Sequence, residues 1–293
     1  MDTLLIAGFG DIARRAVPLL QPHFEIVAMV RPERLGESRT PPGVNIEPGD
    51  LDRPESLLRF AGRASHILHT APPPVRGSTD PRTAHLLSAL AASTPLPQRI
   101  VYISTSGVYG NCDGALVDER RPVNPQSDRA RRRVDAEQQL TAFGQQQGLR
   151  TVILRAPGIY ASDRLPLQRL RNRTPVLSAE DDVYTNHIHA DDLAAMTAAA
   201  LIHPDAEGVY NASDDSALTM SAWFDLLADR AGLERPSRIP RAEASGIIPA
   251  PLLSFMSESR RLLNAKIKRE LGLQLRYPTV YEGVPAHIGA PDA

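Results

Sequence analysis

The stretch Leu4–Arg15, "LLIAGFGDIARR", carries the pattern that decides the fold. An apolar run reads as a short buried strand, glycines interrupt it, and Ile12, Ala16 and Leu19/Leu20 then recur at helical spacing. Gly8, Gly10 and Ala13 form G-x-G-x-x-A at the junction. That spacing meets a physical need: a tight turn, then a backbone open enough for a pyrophosphate to reach the helix N-terminal amides. A small residue in the third slot permits close helix–strand packing. The motif alone is a weak signal, but here it occupies the first strand-to-helix turn, the context the chemistry requires.

Outward from this turn, apolar runs and helical patterns alternate. "EIVAMVR" reads as a strand, followed by a Pro/Gly-rich turn region ending in "VNIEPGDL". "PESLLRFAG" reads as a helix, "SHILHTA" as a strand and "RTAHLLSALAA" as a helix. "QRIVYISTS", "RARRRVDAEQQLTAFGQQQG" and "RTVILRAPGIY" continue as strand, helix and strand. The alternation, with near-continuous apolar strands, predicts a doubly wound parallel α/β sheet of the Rossmann type, covered on both faces. After Tyr160 the pattern loosens into a Pro- and Arg-rich segment, the extended "VYTNHIH", a helix from Asp191 to about Ile202 and a strand in "GVYNASD". The remaining residues mix short helices with proline-rich connections, as a small C-terminal lid would. The boundaries expected are 1–163 and 187–213 for the sheet domain, with 164–186 and 214–293 for the lid. The tail "VPAHIGAPDA" is expected to fray.

With a net charge of −1, no global field recruits nucleic acid or an anionic membrane, so any anion site must be local. A single cysteine, Cys112, excludes an internal disulfide and a cysteine metal cluster. The N-terminus lacks the basic region of a signal peptide, and no apolar run is long enough to span a bilayer. A reducing cytoplasm is the expected location.

Further motifs are "VYISTSGVYG" (101–110), "LRAPGIY" (154–160), "NHIHADDLA" (186–194), "GDL" (49–51) and "NAKIKRELG". Taken together in chain order, and over nearly the whole chain, they resemble the extended short-chain dehydrogenase/reductase superfamily, which contains sugar-nucleotide epimerases and dehydratases, with GDL the first of them. The resemblance implies a dinucleotide across the carboxyl ends of the strands. Its contacts would fall on Gly8, Gly10, Asp11 and Ile12 in the turn, and on Arg31 and Arg34 after the second strand. Asp50 and Leu51, then Thr70, Ala71 and Pro72, would follow along the cleft. Ser104, Arg133, Ala156, Pro157 and Gly158 would line its nicotinamide end. NAD-specific members of such folds place an acidic side chain after the second strand to hold the ribose hydroxyls. Here that strand ends in Arg31, which can pair with a 2′-phosphate, so NADP(H) is expected. Glu33 leaves NAD as the alternative. The implied partners are a small-molecule substrate and, from the family, a second copy of the chain.

One departure from the family concerns catalysis. A Tyr-x-x-x-Lys pair belongs on the helix after Val-Tyr-Gly, often with a glutamate four residues beyond the lysine. In "SDRARRRVDAE" (127–137), alignment on Glu137 puts Arg133 at the lysine position and Arg129 at the tyrosine position. No Tyr-x-x-x-Lys occurs anywhere in the chain. Arginine remains protonated, so it anchors anions or stabilises an oxyanion but serves poorly as an acid. Arg131 and Arg132 turn away from the 129/133 face and are expected to be solvated or to meet a partner subunit. Thr105 matches the family's catalytic hydroxyl, and Tyr160 is the candidate replacement acid. His187 and His189 are expected to face opposite ways, and no third ligand supports a metal site. Two functions remain open: an NADP(H)-dependent oxidoreductase, epimerase or dehydratase for a small carbonyl or sugar-like substrate, and a catalytically silent NADP(H)-binding sensor or regulator.

Overall fold

The computed structural model describes residues 1–36 and 40–289. The last four residues of the tail therefore lie outside the described residues. The central strands are β1 (Asp2–Ala7), β2 (Phe24–Val30), β3 (Val44–Pro48), β4 (His66–His69), β5 (Arg99–Thr105), β6 (Arg150–Ala156) and β7 (Gly208–Asn211). They form one parallel sheet in the order β7-β6-β5-β4-β1-β2-β3. Strand order reverses between β1 and β4, which opens a crevice at the carboxyl ends of these strands. The five longer helices are α1 (Asp11–Leu20), α2 (Pro81–Ala91), α3 (Asp128–Gln147), α4 (Ala190–Ile202) and α5 (Met220–Ala231).

The strands are apolar on both sides because both sides are covered. Leu4, Ile6, Ile26, Ala28 and Val101 point to one face and pack with α1 and α4. Their neighbours Leu5, Val27, Ile67, Ile100 and Ile153 point to the other, under α2 and α3. Caps set the helix starts. The Asp80 carboxylate accepts from the Arg82 and Thr83 amides ahead of α2, and Ser127 accepts from Ala130 ahead of α3. No described helix is long and apolar enough to cross a membrane.

Two local expectations fail. "PESLLRFAG" is not a helix but two 3₁₀ turns, Pro54–Ser56 and Leu58–Phe60. Leu57 and Phe60, three apart, are the side chains it buries, a spacing that suits the three-residue 3₁₀ period. Leu19 is 45% exposed, and Val17 takes its place in the core of α1. The turn region before "GDL" contributes the edge strand β3, where Pro48 is tolerated at the end of the strand.

Residues from the segments expected to form the lid build an apolar cluster, in which Trp223, Phe224 and Leu227 of α5 pack with Leu170, Val280 and, from the sheet side, Tyr160. The short helix Ala265–Leu271 instead sends Ile267 and Leu271 into the core beneath α1 and α4. A buried polar chain ties the layers together. Glu137 of α3 meets Arg155 of β6 at 2.6 Å and accepts from the Ser104 hydroxyl of β5 at 2.5 Å. Arg155 also stacks on Tyr109 at 4.7 Å, and the Tyr109 hydroxyl donates to Asn211 of β7 at 2.8 Å. Asn211 in turn donates to the carbonyls of Val117 and Leu263, both at 3.1 Å.

Because Glu137 and Arg155 are only 5% and 6% exposed, removing one partner strands the other in a dry environment. Glu137→Ala should cost about 3–5 kcal/mol in urea unfolding. Glu137→Ala combined with Arg155→Met should cost less than the sum of the single substitutions. A single substitution within experimental error of the parent would show that the pair holds nothing together.

Candidate functional site

A cleft of about 510 Å³ lies at the carboxyl ends of β1, β2 and β4. Its floor is the glycine turn. Gly8 has φ +101°, and a Cβ there would fall 2.4 Å from the Ala71 amide nitrogen, so only glycine lets these two loops meet. A Cβ on Gly10 would meet nothing within 4 Å, so this side of the turn is open for a ligand to approach. The Thr70 hydroxyl donates to the Gly8 carbonyl, while the Thr70 and Ala71 amides share the Ala7 carbonyl at 2.9 and 3.0 Å. The turn and the end of β4 are thereby locked in one arrangement. Asp50, Leu51 and Pro72 complete the walls. An open glycine turn at the start of α1 has the geometry a dinucleotide pyrophosphate requires.

The cleft is basic. Arg14, Arg31, Arg34 and Arg82 line it. Arg14 stacks over Phe9 at 4.3 Å, and Arg82 pairs with Asp52 at 2.5 Å while donating to the Pro72 carbonyl at 2.9 Å. Arg31 stands 3.9 Å from Glu33, and Glu33 lies outside the lining. Of these, Arg14 and Arg82 escaped the sequence reading. Arg14 had a usable signal, one turn into the helix beyond Gly10.

Several expected contacts are placed elsewhere. The Asp11 carboxylate is engaged by Arg15 at 2.9 Å and Arg164 at 2.7 Å, leaving its backbone at the helix start for a ligand. Arg15 also joins Asp163 and Asp191, at 2.6 and 2.8 Å, which ties α1 to α4. Ile12 and Ala156 are buried in the core, so neither offers a side chain to the cleft. The Ser104 hydroxyl points to Glu137 rather than to a ligand. Arg133 donates to the Tyr102 hydroxyl at 2.7 Å and the Ile103 carbonyl at 2.9 Å, outside both cavity linings. Arg132 is neither solvated nor free for a partner. It is buried and donates to the Gly77 carbonyl, fastening the loop before α2 to α3.

A second cavity of about 410 Å³ adjoins the ends of β5 and β6. Thr105, Arg129, Pro157, Gly158 and Tyr160 line it together with Tyr184 and Trp223. The Thr105 oxygen accepts from the Gly107 amide at 3.3 Å, which leaves its hydrogen free to be donated. Tyr160 contributes its ring, but its hydroxyl donates away from the cavity, to the Thr279 carbonyl at 3.3 Å. Burial, with Asp214 and Asp192 nearby, pushes the phenol well above its ordinary range. That environment makes the Tyr160 phenol a poor proton donor at neutral pH.

His187 and His189 share one side, since residues two apart on a strand point the same way. Both rings meet Tyr160, at 6.2 and 5.2 Å. His187 packs on Trp223 at 4.3 Å, and burial lowers it to about 3, so it stays neutral. The His189 Nδ1 accepts from the Asp191 amide at 3.2 Å. Among the described residues, no group of three or more His, Cys, Asp or Glu side chains could hold a metal ion.

A sequence model of the NAD dependent epimerase/dehydratase family matches residues 5–213. The chain belongs to that family. Among solved structures, a conserved protein of unknown function from Silicibacter pomeroyi is 30% identical, with a TM-score of 0.78 over 97% of this chain and 96% of its own. The UDP-glucose 4-epimerase of Thermotoga maritima, solved with UDP-glucose, is 19% identical, with a TM-score of 0.76 over 97% and 96% of the chains. A double mutant of the Streptomyces venezuelae dTDP-glucose 4,6-dehydratase, solved with NAD, is 21% identical, with a TM-score of 0.76 over 97% and 94%. No curated protein matches the sequence. The two enzymes share the epimerase/dehydratase fold with this chain, and the first cleft lies where that fold reverses its strand order.

Behind Tyr160 in this family member lies Asp214, whose Oδ1 accepts from the Ser216 amide at 2.9 Å while Oδ2 is buried without a partner. Burial raises the carboxyl to about 7. The folded protein thus retains a proton that the unfolded chain releases near pH 4, so folding stability falls as pH rises from about 4 to about 7. Asp214→Asn should match the parent below pH 4 and exceed it above pH 7 by at most about 4 kcal/mol. Thermal melts of both proteins at pH 5 and pH 8 check this; an equal difference at the two values would refute it.

Proposed function

We propose that the protein is an NADP(H)-dependent member of its family that acts on a small carbonyl or sugar-like substrate. The observation that carries this reading is the pairing of the two cavities at the carboxyl ends of one sheet. The glycine cleft fits a dinucleotide, and the next cavity presents the free Thr105 hydroxyl. The dinucleotide, when bound, supplies or accepts a hydride. Thr105 would donate a hydrogen bond to the substrate oxygen, and Arg129 would add a fixed positive charge to the same cavity. Proton delivery falls to neither arginine, because a guanidinium does not deprotonate in the working range.

Support for NADP(H) over NAD(H) comes from the end of β2. Val30 is followed by Arg31, and Arg31 and Arg34 line the cleft where an acid would select ribose hydroxyls. A second reading, a silent NADP(H)-binding protein, is favoured by Arg133, which is engaged by Tyr102 and Ile103 rather than turned to the cleft.

Melting with matched NADPH and NADH tests the cofactor. At a hundredfold excess over Kd, the preferred dinucleotide should add about 2.7 kcal/mol of stability. For a chain of this size that is a rise of roughly 5 °C. Arg31→Ala should lose most of the NADPH shift and little of any NADH shift. A larger shift with NADH, or an undiminished NADPH shift in Arg31→Ala, would overturn the assignment. NADPH consumption with any carbonyl from a screened panel would decide for the enzyme over the silent protein.

A further inference from the structure

The second cavity holds more positive charge than the chain neutralises. Arg129, Arg164, Arg169 and Arg260 line it, against the single carboxylate of Glu258. Glu258 is taken by Arg260 at 2.7 Å, and Arg164 is taken by Asp11 at 2.7 Å. Among the described residues, Arg129 and Arg169 have no carboxylate within ion-pair distance.

Both guanidinium groups are nevertheless held in place. The Arg129 guanidinium sits over the Phe255 ring at 4.0 Å, and its donors have no hydrogen-bond partner among the described residues. Arg169 lies on the Phe224 ring at 4.0 Å and donates once, from Nη2 to the Pro175 carbonyl at 3.2 Å. Its Nε and Nη1 are buried with no hydrogen-bond partner among the described residues. Burial without a counter-charge lowers Arg169 to about 10, so it remains protonated at neutral pH. An unpaired buried guanidinium is costly, and a fork of unused N–H donors matches the oxygens of a carboxylate or phosphate. Phe224 and Phe255 come from lid helices, α5 and Ala250–Phe255, so the lid orients the charge.

We infer that this cavity binds a compact anionic group, a carboxylate or a phosphate, on Arg129 and Arg169, and that the substrate therefore carries one. The inference rests on the second cavity being the substrate site. It also gives the Tyr-to-Arg departure at position 129 a purpose: the slot recognises an anion rather than supplying a proton.

The test is calorimetric titration of the protein, with and without NADP⁺, using glucuronate, glucose 6-phosphate and neutral glucose at constant ionic strength. At least one anion should bind tenfold or more tightly than glucose. The stronger of the two identifies a carboxylate or a phosphate as the preferred group. Arg129→Ala and Arg169→Gln should each weaken that anion tenfold or more while NADP⁺ affinity is unchanged. Arg129 is a surface residue, so its variant remains informative if Arg169→Gln fails to fold. Equal binding of glucose, no binding of either anion, or unchanged anion affinity in Arg129→Ala overturns the inference. Failure of NADP⁺ to bind the parent would instead overturn the proposed function, and the anion arm without dinucleotide would still decide this one.

Discussion

The buried contact between Glu137 and Arg155 is the constraint on which the second cavity depends. It joins α3 to β6, takes the Ser104 hydroxyl of β5 on one side and passes through Tyr109 to Asn211 of β7 on the other. Thr105 and Pro157, which line the second cavity, follow directly on Ser104 and Ala156 at the paired ends of β5 and β6. Their positions are therefore set by a polar chain one layer beneath them. Such a chain is stabilising only while every member is satisfied, which gives it specificity that an apolar contact would lack.

The arginines of α3 show how one sequence feature is divided by its surroundings. Arg131 pairs with Asp128 at 2.7 Å on the outside of the helix. Arg132 turns in to hold the loop at Gly77, and the neighbouring Asp135 accepts the Asp80 amide at 2.6 Å. Arg133 reaches the Tyr102 hydroxyl and the Ile103 carbonyl, and Arg129 alone opens into the second cavity. The hydrogen bonds of Arg133 also place a positive charge near the fully buried His69. That charge, together with the larger effect of burial, lowers the imidazole to about 3.

Much of the fold was legible because it rests on short-range rules. The strands had to be apolar on both faces, and Gly8 had to be glycine where β1 turns into α1. The cleft residues Leu51, Thr70, Ala71 and Pro72 were reached instead through the family resemblance of the motifs around them. Side-chain direction was not. Whether Ser104 faces a ligand or Glu137 depends on a helix that begins more than twenty residues later. The Tyr160 hydroxyl turns to Thr279 because of a segment far along the chain. Arg169 sits in a Pro- and Arg-rich stretch that looks solvated until Phe224 is packed against it.

The positive charge of both cavities is carried wholly by guanidinium groups. Lys266 and Lys268 are the only lysines in the sequence, and they are committed to the Val209 carbonyl and to Asp215. Guanidinium groups do not lose their proton in the accessible pH range and are poor nucleophiles. The positive charge in the clefts is consequently constant around neutral pH, and it lies outside the reach of amine chemistry. Acetylation and carbamylation would leave it intact, whereas dicarbonyl reagents that condense with arginine would abolish it.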